Sequence, residues 1–157
     1  MDKNTFKQLF LETIHNRDNP YHPLVWINGE PEIGSGTYIG GFSELNANGA
    51  RLIIGRDCDI ASFVAINVAD SHRRCIGLSD VNDCEDIRIG DCVFIGSHCA
   101  ILGGSVIGHH SVVAAGTVVR AGVIPPFSLV LANEVKSGFY RAEYEAKHGS
   151  WQGDDPA

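Results

Sequence analysis

An aspartate and a histidine, two residues apart, interrupt an otherwise regular aliphatic repeat. His72 falls six residues after Ile66, where the repeat otherwise has an aliphatic side chain, and Asp70 takes a place usually held by a small residue. Histidine titrates near neutral pH, so it can remove a proton from a substrate when a partner fixes its ring. We expect His72 to be a general base oriented by Asp70. Asp70 could equally accept backbone N–H bonds in a turn.

Three more polar residues flank this pair. Asn67 stands where the repeat prefers Gly or Ala. It could hydrogen-bond a substrate, as a third catalytic residue, or adopt the left-handed backbone of a turn. Arg73 and Arg74 follow His72 and could bind an anionic substrate group such as a diphosphate. They could also neutralise the acidic residues between positions 80 and 86.

The interrupted repeat has a period of six residues. Its aliphatic positions are Ile33, Ile39, Ile54, Ile60, Ile66, Ile89, Ile95, Ile101, Ile107, Val113 and Val119. The fifth place of the units holds small or compact residues, namely Thr37, Ser43, Cys58, Val64, Val93, Cys99, Ser105, Ser111, Thr117 and Val123. A period of six fits neither an α-helix nor a lone alternating strand. It is typical of a parallel β-helix, in which each unit is one short face and one tight turn.

The extent of the repeat predicts the boundaries between the N-terminal segment, the β-helix and an inserted loop. Residues 1–32 contain an amphipathic helix over 4–16, which Asn4 can cap, and a proline-containing connector. Residues 33–130 form the β-helix, and a polar loop is inserted at about 70–87. Such insertions often carry the binding face of a solenoid.

The C-terminal end of the repeat is also predicted. Regular units run from Ile89 to Val123, and Pro125-Pro126 then ends the ladder because proline cannot donate a hydrogen bond. Residues 131–157 form a cap and tail. Within them, 140–148 has helical character and is expected to cover the open end of the solenoid.

Composition excludes several classes of protein. The chain of 157 residues has a formal net charge of −7, which argues against nucleic acid as the main partner. No apolar run approaches the roughly 20 residues of a membrane span, and the N-terminus lacks a signal-peptide pattern, so we expect a cytoplasmic protein. The five cysteines include no Cys-x-x-Cys pair, and we expect reduced packing residues.

The repeat resembles the hexapeptide-repeat acyltransferases, in their sugar O-/N-acetyltransferase branch, from about Ile33 to Lys136. The most specific segments are FIGSHCAILGG (94–104), VAAGTVV (113–119) and IPPFSLV (124–130). The family's closing signature has Pro-Ala before its lysine, whereas Glu134-Val135 stands here. The resemblance implies an all-β solenoid, specifically a left-handed parallel β-helix. It also implies a homotrimer with active sites between subunits.

The resemblance further implies a reaction. An acetyl group would pass from acetyl-CoA to a sugar hydroxyl or amine by direct attack on the thioester, with the loop histidine His72 as general base. The sugar could be free, nucleotide-linked or lipid-linked. Small residues let the pantetheine arm approach the backbone, and cations meet the CoA phosphates. The donor-binding candidates are Ala114, Ala115, Gly116, Thr117, Arg120 and Lys136.

Two other functions fit the same repeat. A γ-class carbonic anhydrase needs two histidines five residues apart, but Gly103 stands five residues after His98. The adjacent His109 and His110 cannot substitute, because neighbouring side chains diverge. We therefore expect no metal. A non-catalytic hexapeptide-repeat scaffold remains the second alternative.

Overall fold

Three β-sheets wrap around one core in the computed structural model, which describes residues 2, 5, 8, 9, 12, 21 and 24–154. In pairing order, the first sheet contains β1 (Trp26–Asn28), β4 (Glu44–Asn46), β7 (Ala65–Asn67), β12 (Ala100–Leu102) and β15 (Val118–Val119). The second contains β16 (Gly122–Ile124), β13 (Ser105–Ile107), β10 (Ile87–Ile89), β5 (Leu52–Ile54) and β2 (Glu32–Ile33). The third contains β18 (Glu134–Lys136), β17 (Leu129–Leu131), β14 (Val112–Val113), β11 (Phe94–Ile95), β6 (Asp59–Ile60) and β3 (Tyr38–Ile39).

The chain visits the second, third and first sheets in turn, and one such circuit is a coil. Successive coils pair in parallel, so that Ile89 aligns with Ile107 and Ile95 with Val113. The final pair, β17 with β18, is antiparallel. The predicted all-β solenoid is therefore confirmed. Its three parallel faces are consistent with the left-handed parallel β-helix that the resemblance implies.

The aliphatic residue of each unit points into the core. Ile39, Ile60, Ile95 and Val113 are aligned by strand pairing in the third sheet, and each is 0% exposed. Each side chain therefore stacks on the equivalent one in the next coil. Burial of apolar surface along this column is the main stabilising term, because each coil alone has too little core to fold.

Small polar residues in the fifth place join one coil to the next. The Ser43 hydroxyl donates to the Ala61 carbonyl at 3.0 Å and accepts the Val64 N–H at 3.1 Å. The fully buried hydroxyl therefore has both a donor and an acceptor partner. Cys58 and Cys99 fill the same place and are buried, as the sequence predicted.

Glycine after the inward aliphatic residue is explained by close approach of the coils. A Cβ at Gly40 would lie 2.5 Å from the Ser62 backbone nitrogen, and one at Gly96 would lie 2.5 Å from that of Ala115. Contacts this short require the backbone to shift. The glycines therefore set the distance between coils.

Three corners separate the sheets. The aromatic corner, between the third and first sheets, carries Phe42, Phe63, His98 and Gly116, all with positive φ. The cap corner, between the second and third sheets, carries Asp57, Cys92, His110 and Phe127, also with positive φ. The loop corner, between the first and second sheets, is where residues 68–86 leave the solenoid.

The segment at the loop corner has secondary structure of its own. β8 (Ala69–Asp70) pairs in antiparallel fashion with β9 (Asp83–Cys84), and the short helix α1 (His72–Cys75) lies between them. The chain rejoins the solenoid at Ile87, which aligns with Leu52. The inserted loop predicted at about 70–87 corresponds to this hairpin.

The repeat changes phase in the last coil. After Val119, the next inward residue is Ile124, which is 7% exposed, whereas Val123 is 58% exposed. The prediction of regular units as far as Val123 is therefore wrong. Gly122 has a φ of +142°, which favours glycine, and the strand that it begins presents Val123 to the outside.

Only the C-terminal cap can be compared with its prediction, and its helix packs in a different place. The helix expected over 4–16 lies outside the described residues, apart from positions 5, 8, 9 and 12. At the other end, α2 (Arg141–His148) is present, but its Tyr144 ring lies 4.8 Å from the ring of His110 and 5.2 Å from that of Phe127. The helix thus packs against the cap corner at the side of the solenoid, not across its open end. Within the described part of the chain, no helix has the length and apolar character to cross a bilayer.

Candidate active site

A cleft of about 500 Å³ opens at the loop corner. Its lining includes four of the predicted site residues, Asn67, Asp70, His72 and Arg120. Asn67 ends β7, Asp70 ends β8, His72 begins α1, and Arg120 follows β15. The inserted hairpin and the regular coils therefore meet to form one concave site.

Asp70 binds His72 through both the ring and the backbone. The Nδ1 atom of His72 lies 2.7 Å from Oδ1 of Asp70, and the backbone N–H of His72 donates to the same oxygen at 2.9 Å. The backbone bond, followed by the ring bond, lowers the pKa of the Asp70 carboxyl below its usual value. Both sequence interpretations of Asp70 are therefore present together, the turn carboxylate and the partner of the histidine ring.

This pairing decides which ring nitrogen faces a substrate. An ionised carboxylate can only accept hydrogen bonds, so the Nδ1 atom of a neutral His72 ring carries the hydrogen. The lone pair then lies on Nε2, the nitrogen away from Asp70. A ring held in this tautomer can accept a proton from a bound acceptor group.

Asn67 is oriented by two hydrogen bonds. Its Oδ1 accepts the backbone N–H of Ala69 at 2.9 Å and the Nδ2 donor of Asn46 at 3.0 Å. Asn67 lies in a strand and does not have a positive φ, so the alternative of a left-handed turn residue is wrong. The outward direction of its side chain places it at the edge of the cleft.

The two loop arginines lie outside the lining of the cleft. Arg74 Nε donates to Asn82 Oδ1 at 2.7 Å, and Arg73 Nε is 3.9 Å from Asp83 Oδ2. Both side chains contact other residues of the hairpin, as the alternative of internal neutralisation predicts for Arg73. Their role in binding an acceptor stays a prediction.

The predicted donor-binding residues lie apart from one another. Ala114, Ala115 and Gly116 lie at the aromatic corner, and the Thr117 side chain is 1% exposed and faces the core. Lys136 Nζ lies 3.8 Å from Glu134 Oε2 and 5.8 Å from the centroid of the Phe139 ring. Of the six candidates, Arg120 is the one that lines the cleft with His72.

Sequence reasoning missed part of the lining. Glu85, Leu102 and Gly103 also face the cleft. A Cβ at Gly103 would lie 2.9 Å from the Val68 carbonyl oxygen and 3.3 Å from the Glu85 Cβ, so the coil and the hairpin touch here. The adjacent glycines at 103 and 104 were the available signal, because they mark a close backbone approach.

The other histidines that the structure describes pack against aromatic rings. The ring of His98 stacks on that of Phe63, with 4.9 Å between the ring centroids. The other face of the stack is Phe42, whose ring centroid lies 5.1 Å from that of Phe63. His109 stacks on Trp151 at 4.7 Å, so Trp151 packs the C-terminal segment onto the cap corner. Between residues 24 and 154, and at the isolated earlier positions described, no three His, Cys, Asp or Glu residues are grouped to hold a metal ion.

His110 makes the cap corner sensitive to acid. Its Nδ1 lies 2.9 Å from Nδ1 of His109, and its ring stacks on Phe127 at 5.1 Å. Burial, followed by the charge of His109, lowers the pKa of His110 below its usual value, although Asp91 opposes this. As the pH falls, His110 is therefore protonated at a higher pH in the unfolded chain than in the folded chain.

We expect the free energy of unfolding to fall as pH drops below about 6.5, the ordinary histidine value. The loss continues until His110 is also protonated in the folded chain, and stability is fully present above this window. Urea unfolding between pH 5 and 8 measures it, and His110→Asn should flatten the slope. His98→Asn controls for asparagine at another corner with positive φ. An equal slope in wild type and His110→Asn would contradict the assignment.

Comparison with known sequences agrees with a solenoid built of six-residue repeats. Residues 86–121 match the family model described as bacterial transferase hexapeptide (six repeats). The Saccharomyces cerevisiae protein YJL218W, which is provisionally named an acetyltransferase, is 39% identical over 97 residues. The match covers 56% of this chain and 48% of the yeast protein. The chain thus spans about half the length of this curated relative.

Solved structures share the fold over most of the chain. VCA0836 from Vibrio cholerae, a hexapeptide-repeat-containing acetyltransferase, is 26% identical with a TM-score of 0.55, over 81% of this chain and 83% of that chain. A second structure of VCA0836 is a complex with acetyl coenzyme A, at 24% identity and a TM-score of 0.51, over 83% of this chain and 81% of that chain. The polysialic acid O-acetyltransferase OatWY has a TM-score of 0.59 at 22% identity, over 85% of this chain and 65% of that chain.

Proposed function

We propose that this chain, a hexapeptide-repeat protein, is an acetyltransferase that moves an acetyl group from acetyl-CoA to a hydroxyl or amine of a sugar. The observation that carries the proposal is the 2.7 Å pair of His72 Nδ1 and Asp70 Oδ1, in a cleft where a hairpin interrupts the repeat. The likeness to VCA0836, an acetyltransferase with a structure in complex with acetyl-CoA, supports the donor.

In the proposed reaction His72 first accepts one proton and then donates it. Nε2 takes it from the acceptor hydroxyl or amine as the acceptor atom bonds to the thioester carbonyl carbon. The carbon–sulfur bond then breaks, and the proton passes from His72 to the departing sulfur. Asp70 keeps the ring in place and stabilises the imidazolium by its negative charge. No covalent intermediate on the protein is required.

Two other residues of the cleft have separate proposed roles. The N–H groups of Asn67 would donate to a substrate oxygen. A backbone N–H would be a further donor to the oxyanion that forms at the thioester carbonyl. Arg120 is a cation in the cleft and would meet a phosphate of acetyl-CoA. Arg73 and Arg74 would contact the acceptor only after leaving their partners in the hairpin.

We propose a homotrimer with active sites between subunits. Ala114, Ala115 and Gly116 lie at the aromatic corner, whereas His72 lies at the loop corner. One acetyl-CoA molecule would reach both groups when a second copy supplies the aromatic corner, and Lys136 would contribute in the same way. Tyr38, Phe94 and Val118 on the outer strand faces are exposed apolar residues that such contacts could bury.

The acceptor is proposed as a class. It is a sugar used in surface-glycan or nucleotide-sugar biosynthesis in the cytoplasm, where acetyl-CoA is available. The cleft contains the carboxylates of Asp70, Asp83 and Glu85 as well as Arg120. It therefore offers partners to a neutral hydroxyl and to a cationic amine alike.

Calorimetric titration of acetyl-CoA, with free CoA as the control, tests the donor. We expect saturable binding near one site per chain, and light scattering of the same sample should give the mass of a trimer. A panel of matched sugars and amino sugars, with and without a linked nucleotide, then identifies the acceptor by CoA release. Absence of binding by both acetyl-CoA and CoA would overturn the proposed function.

A further inference from the structure

Three asparagines form a ladder beneath the cleft. Asn28, Asn46 and Asn67 end β1, β4 and β7, and strand pairing places them directly above one another. In the next strand the same place is held by Leu102. Asn67 is thus the last asparagine of the ladder, and both it and Leu102 line the cleft.

Backbone N–H donors fix the orientation of the side-chain amides of Asn46 and Asn67. The N–H of Asn48 donates to Oδ1 of Asn46 at 3.0 Å, and the N–H of Ala69 donates to Oδ1 of Asn67 at 2.9 Å. A backbone N–H can only donate, so in each side chain the atom that it meets must be the oxygen. The Nδ2 of Asn46 is then directed at Oδ1 of Asn67, 3.0 Å away.

This arrangement determines what Asn67 can offer a ligand. Its Oδ1 already accepts two hydrogen bonds, which is the capacity of a carbonyl oxygen. The amide N–H groups are therefore what remains for the cleft. A donor held in advance at a reacting carbonyl needs no reorganisation during the reaction, which is how enzymes stabilise developing negative charge.

We propose that Asn46 is a positioning residue that holds Asn67 with its N–H groups toward the cleft, where they donate to the oxygen of the reacting carbonyl. The proposal rests on the proposed function, because that function supplies the carbonyl. Asn46 is outside the lining of the cleft and acts through Asn67.

Asn46→Asp is the sharpest variant. The carboxylate has the size of the amide and still accepts the Asn48 N–H, but it has no hydrogen to donate to Asn67. We expect kcat to fall about tenfold, roughly the worth of one hydrogen bond, with little change in KM for acetyl-CoA. Asn28→Ala, at the foot of the ladder, is the matched control and should keep wild-type kcat.

A double-mutant cycle shows whether Asn46 acts through Asn67. Asn67→Ala should lower kcat about 100-fold, as loss of an oxyanion donor does. Adding Asn46→Asp should then cause no further loss. A double variant that loses another tenfold, or an Asn46→Asp variant with wild-type kcat, would overturn the proposal.

A spectroscopic measurement separates this proposal from the proposed function. The side-chain ¹⁵N amide signal of Asn67 is identified by its disappearance in Asn67→Asp. It should shift in Asn46→Asp and stay in place in Asn28→Ala. An unchanged signal in Asn46→Asp overturns the positioning role even in a protein that transfers no acetyl group. Absence of transfer by wild type, by contrast, contradicts the function alone.

Discussion

Replacing His72 with alanine should lower kcat for the proposed acetyl transfer by about 10³-fold, within the range that general base catalysis contributes. The reason is that, in the proposed reaction, Nε2 of His72 removes the acceptor proton, and alanine has no group to replace it. Acetyl-CoA binding should persist, because the proposed donor contacts, such as Arg120, are unchanged. Release of the CoA thiol measures kcat, and calorimetry measures donor binding on the same preparation.

A matched control separates base catalysis from the mere presence of histidine. His148 is also exposed, but it lies at the end of α2, where its ring is 4.7 Å from that of Tyr144. His148→Asn should therefore keep kcat within about twofold of wild type, since α2 packs against the cap corner, away from the cleft. A His72→Ala protein whose kcat stays within tenfold of wild type would remove His72 from the role of base.

The solenoid could be predicted from the sequence because the same six-residue pattern is repeated in each unit. Each aliphatic side chain must face the axis of the solenoid, and Ile89, Ile95 and Ile101 do so at the predicted six-residue interval. The break at Asp70 and His72 is visible for the same reason, since a carboxylate or an imidazole in an inward place cannot enter that core without a buried partner. The repeat therefore predicts the core directly and the site by exclusion.

Other features depend on contacts between distant parts of the chain. The outward turn of Val123 follows from the backbone at Gly122, and the position of α2 follows from the aromatic cluster around Phe127. The hydrogen bond between Asn46 and Asn67 joins strands of adjacent coils. The six-residue pattern specifies which residues point inward, but it does not specify which outward side chains touch.

The double contact of Asp70 with His72 yields the second large prediction. Asp70→Ala removes both hydrogen bonds, whereas Asp70→Asn keeps an oxygen acceptor for them and removes the charge. A charged hydrogen bond is worth more than a neutral one, so we expect Asp70→Asn to lower kcat about 10- to 100-fold. Asp70→Ala should lose more, about 100-fold or beyond, because the ring is also released.

The order of these variants decides between the two roles of Asp70. Asp83→Asn is the control for charge, because Asp83 lines the same cleft and aligns with Asp70 in the hairpin. It should lower kcat less than Asp70→Asn does. If Asp70→Asn matches wild type while Asp70→Ala loses activity, the charge does nothing, and Asp70 serves as a turn residue that places His72. If both variants fall in the expected order, the carboxylate also stabilises the protonated ring during the reaction.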